Sequence, residues 1–383
     1  MNVAAPDEAI TRLLAERIAA GDFPSAVYLV AERGQIGFAD ALGEAVREPV
    51  RLPATTDTIY DLASLTKPLV TGLLCARLVE RNQLELDATA ARYLPEFARG
   101  PHAAVTVRQL LTHTSALPAW LPLRLATEGR PESTLPMIAA QTPVGAPGER
   151  VVYSDLGFIT LGLLIERILK ARLAEIAVKE IFAPLGLQRT FFNPEASWRE
   201  LMAACESGGN AYEREMCRER GQEIIEAVGW RESLIWGEVH DGNAHFLGGA
   251  AGHAGLFSTA HETLRLAEQF IAGSTHLLNP DTCALFRKDM TPGLNEARSF
   301  AWQLAATPDS TAGPALSPDS FGHLGFSGTS VWIDAARERV FILLTNRTHA
   351  RPLPFVNING TRRAFHTLAV QLLDQFENNS AGR

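Results

Sequence analysis

A serine stands three positions before a lysine in the stretch Tyr60-Asp61-Leu62-Ala63-Ser64-Leu65-Thr66-Lys67-Pro68-Leu69-Val70. Apolar residues continue at helical spacing, which predicts a helix from near Ser64 to about Arg81. Side chains three apart on a helix are neighbours, with Cβ atoms about 5–6 Å apart, so the Lys67 amine would reach the Ser64 hydroxyl. Pro68 fits the first helical turn, where backbone N–H groups have no intrahelical partner.

This serine–lysine pair predicts a nucleophile with an adjacent base. A serine hydroxyl is a poor nucleophile until a neighbouring group accepts its proton. A lysine accepts that proton only when burial or nearby positive charge lowers the pKa of its ammonium group. A short Ser-x-x-Lys pattern is also compatible with an ordinary helix start, so the functional interpretation depends on motifs elsewhere in the chain.

The composition indicates a globular protein with an ample core. Of the 383 residues, 46% are hydrophobic and 20% are charged, and the length suggests two or three domains. The formal net charge of −8 and the absence of any Lys/Arg run argue against a nucleic-acid partner. No Cys-x-x-Cys spacing occurs, which indicates free thiols rather than disulfides or a zinc site at Cys75, Cys205, Cys217 and Cys283.

The first residues and the hydropathy of the chain bear on localisation. The N-terminus has neither a basic segment nor an apolar segment typical of a signal peptide, and no apolar run is long enough to span a bilayer. We therefore expect a cytoplasmic protein without a membrane span. The alternative is a periplasmic protein from which a leader has been removed.

Periodicity along the chain predicts an α+β protein. The clearest predicted elements are a helix at 7–20, strands at 25–31 and 36–41, helices at 64–81, 105–115, 156–171 and 173–185, strands at 329–333 and 340–345, and a helix at 361–376. Two Ser/Thr-x-x-Glu patterns, at 197–200 and 259–262, predict capping boxes. The glycine-rich stretch at 247–257 lacks the Gly-x-Gly-x-x-Gly spacing of a nucleotide site, and we expect tight turns and close backbone approach there.

The order of these elements predicts a helical lobe inserted into an α/β lobe. We assign residues 1–62 and 256–383 to the α/β lobe and residues 63–255 to the mostly helical lobe. The segment 195–236 is a charged insertion, dense in Glu and Arg from 212 to 230. Its composition indicates a solvated surface helix, with a lid over a binding site as the alternative hypothesis.

Two later segments accompany the serine–lysine pair. Tyr153-Ser154-Asp155 lies within 147–158, and His323-Leu324-Gly325 lies within 322–330, which leads into a predicted strand. Taken singly, each has an ordinary structural interpretation, a half-buried tyrosine or a turn. In this order and spacing, the three motifs resemble those of the serine β-lactamase and penicillin-binding protein superfamily.

The resemblance is nearest to the class C β-lactamase-like group, which includes low-molecular-weight D-alanyl-D-alanine peptidases and many carboxylesterases. It spans about residues 24–347 and takes in the segments 110–115 and 239–244. It implies a single hydrolase domain of two lobes over residues 1–383. Its fold would be β-lactamase/transpeptidase-like, an antiparallel sheet flanked by helices with an inserted all-helical lobe. It also implies no metal and no cofactor.

The resemblance assigns a role to each matching residue. Ser64 would form an acyl-enzyme, and Lys67 would hydrogen-bond Ser64 and help to take its proton. Tyr153 would pass a proton to the leaving group and then activate water. The backbone N–H groups of Ser64 and Phe326 would form the oxyanion hole, where losing one donor typically costs about 2.7–4 kcal/mol of barrier. Gly325 would let the strand backbone approach the acyl group closely.

The sequence departs from the family pattern at two positions. The third motif begins with His323 where most class C β-lactamases have Lys, and the second ends in Asp155 where Asn is more common. A tyrosine phenol titrates near about 10, so Tyr153 needs nearby positive charge, which Lys67 and His323 would supply. An ionised Asp155 only accepts hydrogen bonds, so it would repel a substrate amide carbonyl unless it is protonated or turned toward Lys67.

These departures favour an esterase or amidase of small acyl substrates with weak β-lactamase activity. The alternatives are a D-alanyl-D-alanine carboxypeptidase or β-lactamase proper, a penicillin-binding sensor that does not turn over, and, more remotely, acyl transfer to an alcohol or amine. The expected partner is a small ester, amide or β-lactam. A metal site at His240, Asp241, His245 and His253 is disfavoured because His240 and His245 lack the i, i+4 spacing of two ligands on one helix face.

Overall fold

The computed structural model describes residues 5–219, 221 and 230–381, so part of the predicted charged segment, at 220 and 222–229, lies outside the described residues. The strands are β1 (Ser25–Glu32), β2 (Gln35–Val46), β3 (Leu52–Pro53), β4 (Tyr60–Asp61), β5 (Phe257–Ser258), β6 (Gln303–Leu304), β7 (Phe321–Leu324), β8 (Ser330–Asp334) and β9 (Arg339–Thr345). The α-helices are α1 (Glu8–Ala20), α2 (Leu73–Glu80), α3 (Val107–Leu111), α4 (Leu123–Ala126), α5 (Thr134–Ala139), α6 (Asp155–Leu169), α7 (Leu173–Ala177), α8 (Ala211–Glu219), α9 (Gly242–Phe246), α10 (Ala260–Ala267) and α11 (Asn359–Ala381).

The described strands form one antiparallel sheet and one small ribbon. The sheet has seven strands in the order β3-β2-β1-β9-β8-β7-β6, and β4 pairs with β5. The first and last parts of the chain therefore meet at the centre of the sheet, where β1 pairs with β9. The predicted α+β class, with an antiparallel sheet flanked by helices, is confirmed.

The two faces of the central strands pack against different helices. Tyr28 and Val30 of β1 belong to a core cluster that includes residues of α1 and α11. Val27 and Leu29 point the other way, because successive strand side chains alternate between faces. They belong to a larger cluster that includes residues from both predicted lobes. The lobes thus share a core, and their division at residues 62/63 and 255/256 stays a prediction.

The segment after Ser64 is helical, as predicted, but not uniformly α-helical. A 3₁₀ turn at Ala63–Leu65 is followed by a π-helix at Lys67–Gly72 and then by α2. Pro68 has no N–H for the i→i−4 ladder, which favours a departure from α geometry here, and π-turns are frequent at functional sites. Gly72 has a packing reason, because an added Cβ would lie 2.7 Å from the Cβ of Ala301.

The two predicted capping boxes have different outcomes. Thr259 caps α10, since its side chain accepts the N–H of Glu262 at 3.2 Å. The reciprocal half of this box is not formed, because the Glu262 carboxylate accepts from residues 188–190 instead. The box at 197–200 is wrong, because Ser197 lies inside a 3₁₀ helix at Ala196–Leu201 that has no side-chain cap.

The glycine-rich stretch makes a close backbone approach, and a Cβ on Gly252 would lie 2.0 Å from the carbonyl oxygen of Phe158. Among the described helices, none is both long and apolar enough to cross a membrane.

Helix α8 of the charged insertion is docked through Glu213, whose carboxylate accepts the N–H of Gly242 at 2.6 Å. Burial, together with the Asp241 carboxylate, raises the pKa of Glu213 from 4.5 to about 7. The folded state therefore binds a proton that the unfolded chain has lost between these two values. Stability should consequently fall as the pH rises through this window.

We expect Glu213→Gln to remove much of this pH dependence. The free energy of unfolding of the wild type should fall between pH 5 and 8 by about 2 kcal/mol more than that of the variant, a value discounted for partial solvent contact. Urea unfolding at each pH measures this difference. Glu215→Gln, at an exposed position on the same helix, is the control and should follow the wild type. Parallel curves for the wild type and Glu213→Gln would contradict the assignment.

Candidate active site

The structure brings Ser64 and Lys67 into direct contact. Lys67 Nζ donates to Ser64 Oγ at 3.0 Å and to the backbone carbonyl oxygen of His253 at 3.1 Å. It also lies 2.7 Å from Asp155 Oδ1, with which it forms an ion pair. The Lys67 side chain is fully buried, whereas that of Asp155 is 17% exposed. Lys67 thus links the first motif to the second.

The ion pair determines the charge state of Lys67. Burial alone would lower the pKa of the ammonium group, but attraction to Asp155 and Tyr153 and hydrogen bonds to both raise it above the ordinary value. The lowered pKa that a free lysine base requires is therefore not found in the resting site. The reason is that Asp155 points at Lys67, one of the two arrangements expected for an aspartate at this position.

Tyr153 stands beside the same ammonium group, with Lys67 Nζ 4.9 Å from the centre of its ring. Shielding from water raises the pKa of the Tyr153 phenol. The charge of Lys67 opposes this rise, Asp155 adds to it, and hydrogen bonds with Lys67 and Ser64 oppose it. The resting site therefore holds a protonated phenol, a protonated amine and a carboxylate around the Ser64 hydroxyl. The predicted Ser64, Lys67, Tyr153 and Asp155 lie together.

The prediction that His323 supplies positive charge is wrong. Burial, followed by the charges of Lys67 and Arg298, lowers the pKa of His323 well below its ordinary value. The neutral ring donates its Nδ1–H to the carbonyl oxygen of Leu324 at 2.9 Å, which leaves Nε2 as an acceptor. That buried Nε2 has no hydrogen-bond partner within residues 5–219, 221 and 230–381. The third motif therefore contributes an acceptor, not a cation.

Arg298 is the second cation beside Tyr153, and the sequence reasoning missed it. Its guanidinium carbon lies 5.8 Å from the centre of the Tyr153 ring, and its Nε donates to Glu296 at 3.0 Å. A single arginine outside the three motifs carries no local signal. Its position over Tyr153 follows only from the tertiary structure.

His113 lies beneath Tyr153, in a segment that the resemblance included without a role. The two ring centres are 4.5 Å apart, and His113 Nδ1 accepts the N–H of Ser154 at 3.0 Å. Burial and nearby cations lower the pKa of His113 well below its ordinary value, so the ring is neutral. Ser154 in turn caps α6, where Asp155 is the first residue. His113 therefore orients both functional side chains of the second motif.

A cavity of about 310 Å³ opens beside these groups, with Ser64, Tyr153, Arg298, Phe326, Arg347 and Arg362 among its lining residues. A larger cavity of about 840 Å³ contains none of the predicted site residues, so we assign the site from its chemistry rather than from volume. Ser64 and Phe326 both face the smaller cavity, and their N–H groups as oxyanion donors stay a prediction.

The close approach at Gly325 differs from the expected one. A Cβ at this position would lie 2.0 Å from Thr329 Oγ1 and 2.6 Å from the carbonyl oxygen of Leu62. The glycine therefore lets the end of β7 pack against the chain just before Ser64. Two arginines hold the same turn, since Arg347 donates to the Phe326 carbonyl at 2.7 Å and Arg362 to the Gly325 carbonyl at 3.0 Å.

The residues considered for a metal form separate pairs. His240 pairs with Glu206 at 2.9 Å, His253 with Asp241 at 2.9 Å and His245 with Glu238 at 3.3 Å. Among the described residues, no group of His, Cys, Asp or Glu has the arrangement of a metal site.

Comparison with known proteins places this geometry in a family. The Beta-lactamase family model matches residues 10–361. A protein of Escherichia coli (strain K12), provisionally named D-alanyl-D-alanine carboxypeptidase, is 31% identical over 373 residues, covering 88% of this chain and 82% of that protein.

Solved structures agree in fold. A class C β-lactamase from Rhodobacter sphaeroides has a TM-score of 0.71 at 19% identity, with 96% of this chain and 100% of that chain covered. EstCE1, a hydrolase with promiscuous acyltransferase activity, has a TM-score of 0.70 at 23% identity, with 93% and 97% covered. At these identities the structures support the fold alone. With the family match and the E. coli relative, the conclusion is that this chain belongs to the β-lactamase family of serine hydrolases.

Proposed function

We propose that the protein hydrolyses small esters or amides through an acyl-enzyme on Ser64. The observation that carries this proposal is the contact of Lys67 Nζ with Ser64 Oγ at 3.0 Å and with Asp155 at 2.7 Å, beside Tyr153. A hydroxyl with a charged proton relay on one side and an open cavity on the other fits nucleophilic catalysis.

The charge state of Lys67 determines the route of the proton. Because the resting amine is protonated, it accepts the Ser64 proton only as it passes one of its own to Asp155. Ser64 Oγ then bonds to the acyl carbon, and Tyr153 gives its proton to the leaving group as that bond breaks. Tyr153 regains a proton from Lys67, which recovers one from Asp155. In deacylation water attacks the acyl carbon and gives a proton to Tyr153 as the phenol passes its own proton to Ser64 Oγ, whose bond to the acyl carbon breaks.

The state of Asp155 favours esters over β-lactams. An asparagine at this position would donate an N–H to a substrate amide carbonyl, whereas an ionised carboxylate only accepts. Asp155 is turned toward Lys67, which removes the repulsion of that carbonyl but supplies no hydrogen-bond donor for it. An ester does not need the donor. We therefore place ester hydrolysis first and β-lactam hydrolysis as a weak side activity.

A D-alanyl-D-alanine carboxypeptidase is the second candidate, and one observation favours it. Arg347 and Arg362 line the cavity, and their hydrogen bonds go chiefly to backbone carbonyls. Within the described residues, neither forms an ion pair with a carboxylate. Such a cavity suits a substrate whose leaving group carries a carboxylate, as a peptide C-terminus does. The name of the E. coli relative agrees with this candidate.

A labelling experiment with a substrate panel tests these candidates. We expect a fluorophosphonate probe to add to the peptide that contains Ser64, and p-nitrophenyl acetate and butyrate to turn over faster than nitrocefin. Faster release of D-alanine from a D-alanyl-D-alanine peptide would favour the second candidate. Stable acylation by penicillin, without turnover of any substrate, would indicate a sensor. A probe adduct on another residue would contradict the proposed nucleophile.

A further inference from the structure

The segment 239–244 and His253 form a buried polar cluster that the catalytic roles above do not use. His240 and His253 are 5% and 1% exposed, and burying such polar groups is costly unless each finds a partner. The chemistry of this cluster therefore needs an explanation. Two sets of hydrogen bonds connect this cluster to the serine–lysine motif, one at Lys67 and one just before Ser64.

The first set of hydrogen bonds reaches Lys67. The ring of His253 contacts Asp241 Oδ1 through Nε2 at 2.9 Å, and the carbonyl oxygen of His253 accepts from Lys67 Nζ at 3.1 Å. Asp241 is itself fixed, because it caps α9 by accepting the N–H of Ala244 at 2.7 Å. The residue whose carbonyl accepts from Lys67, His253, is thus connected through its imidazole and Asp241 to the N-terminus of α9.

The second set of hydrogen bonds reaches the backbone just before Ser64. The backbone N–H of His240 donates to Asp61 Oδ2 at 2.7 Å, and Asp61 Oδ1 accepts the N–H of Ala63 at 2.8 Å. Ala63 has a left-handed backbone, with φ of 49°, which a non-glycine residue adopts only when its surroundings hold it there. Adjacent residues of one short segment therefore support both the nucleophile and its lysine.

The His253 carbonyl differs from the other groups around Lys67. Ser64, Asp155 and Tyr153 all gain or lose a proton in the proposed reaction, so their hydrogen bonds to Lys67 change during each turnover. A peptide carbonyl has no proton to exchange and accepts throughout. It is therefore the acceptor that keeps the amine in place while the others change.

We propose that Asp241 and His253 are positioning residues that hold Lys67 at Ser64 through the His253 carbonyl. This inference rests on the proposed function, because it assigns a role within the same reaction. Neither side chain is among the residues that line the cavity beside Ser64. Their effect should appear in the rate of acylation rather than in substrate binding, since misplacing a catalytic group slows the chemical step.

Two variants distinguish the effect of the Asp241–His253 contact from the effect of capping α9. Asp241→Ser keeps a capping oxygen, because serine is a good N-cap residue, but its side chain is too short to reach the imidazole. His253→Leu keeps the backbone carbonyl and removes the ring. We expect each to slow fluorophosphonate labelling and kcat for p-nitrophenyl butyrate about tenfold, with little change in KM. The double variant should be no slower than either single one, because both act through one contact.

The pH profile distinguishes positioning from a general loss of structure. A loosened Lys67 loses part of the attraction to Asp155 that keeps it charged, so the rise of kcat/KM that follows deprotonation of Lys67 should move to lower pH. A smaller fraction of folded enzyme would only scale the profile. His245→Leu is the matched control, since His245 pairs with Glu238 in the same region away from Lys67, and it should behave as wild type.

The outcomes separate this inference from the proposed function. If the wild type is not labelled at Ser64, the proposed function fails. If the wild type is labelled and both variants react at its rate with its pH profile, only the positioning role is overturned. Thermal unfolding shows which variants fold, and if one does not, the other carries the test. Additive losses in the double variant would also contradict the proposal.

Discussion

Replacing Tyr153 by phenylalanine is expected to lower kcat/KM for p-nitrophenyl butyrate by about 10³-fold, within the range typical of a lost general acid–base group. The phenol forms hydrogen bonds with both Lys67 and Ser64, and in the proposed reaction it donates the proton to the leaving group. Removing it takes away the proton for the leaving group and the acceptor for the water proton. Both halves of the reaction should therefore slow, and kcat should fall with kcat/KM.

The loss should be chemical rather than structural. The Tyr153 ring packs on His113, with ring centres 4.5 Å apart, and phenylalanine keeps this contact. Tyr93→Phe is the matched control, because it removes a hydroxyl that accepts the N–H of Glu85 on another part of the chain. We expect this control to retain activity. A loss below about tenfold in Tyr153→Phe would remove the tyrosine from the mechanism, because general acid–base catalysis typically contributes 10²–10⁴-fold.

The motifs predicted much of this site because each carries a local signal. The spacing from Ser64 to Lys67 is a property of helical geometry, and it survives the change from α- to π-helix in this segment. Tyr153 and Asp155 lie on either side of the helix cap Ser154, which holds them together in any fold that keeps α6. Short-range order was therefore enough to name these residues.

The charges of the site could not be predicted in the same way. Whether Lys67 is an amine or an ammonium depends on where the Asp155 carboxylate points, and that is decided by packing between distant segments. The neutral state of His323 depends likewise on burial and on the charge of Arg298. Arg298 lies outside the three motifs, so the sequence alone does not indicate its place in the site. The residue types determine which groups can exchange protons, but contacts between distant segments determine which of those groups are protonated in the resting site.

Asp155→Asn is expected to raise the ratio of nitrocefin to p-nitrophenyl butyrate turnover by about 30-fold. The substitution replaces a carboxylate that only accepts hydrogen bonds by an amide that donates one. Supplying a donor to a substrate carbonyl that would otherwise be buried without one is worth about 2 kcal/mol, which is the source of the factor. Initial rates with the two substrates, measured on the same preparation, give this ratio.

The same substitution should change how activity depends on pH. Asp155 is the main attraction that keeps the buried Lys67 protonated, so without it burial lowers the pKa of Lys67. A group with a lowered pKa loses its proton at lower pH, and the free amine then takes the Ser64 proton directly. Ester hydrolysis by the variant should rise with pH between 6 and 9 more steeply than hydrolysis by the wild type.

Asp155→Ala separates the two causes. It removes the carboxylate and so should reproduce the steeper pH dependence, but it supplies no donor and should gain less nitrocefin activity than Asp155→Asn. Both variants lose the same acidic residue from the first turn of α6, which costs typically about 0.3–1 kcal/mol and cancels in the comparison. An unchanged substrate ratio in Asp155→Asn would mean that this residue does not set the preference for esters. An unchanged pH profile in both variants would mean that another group keeps Lys67 charged.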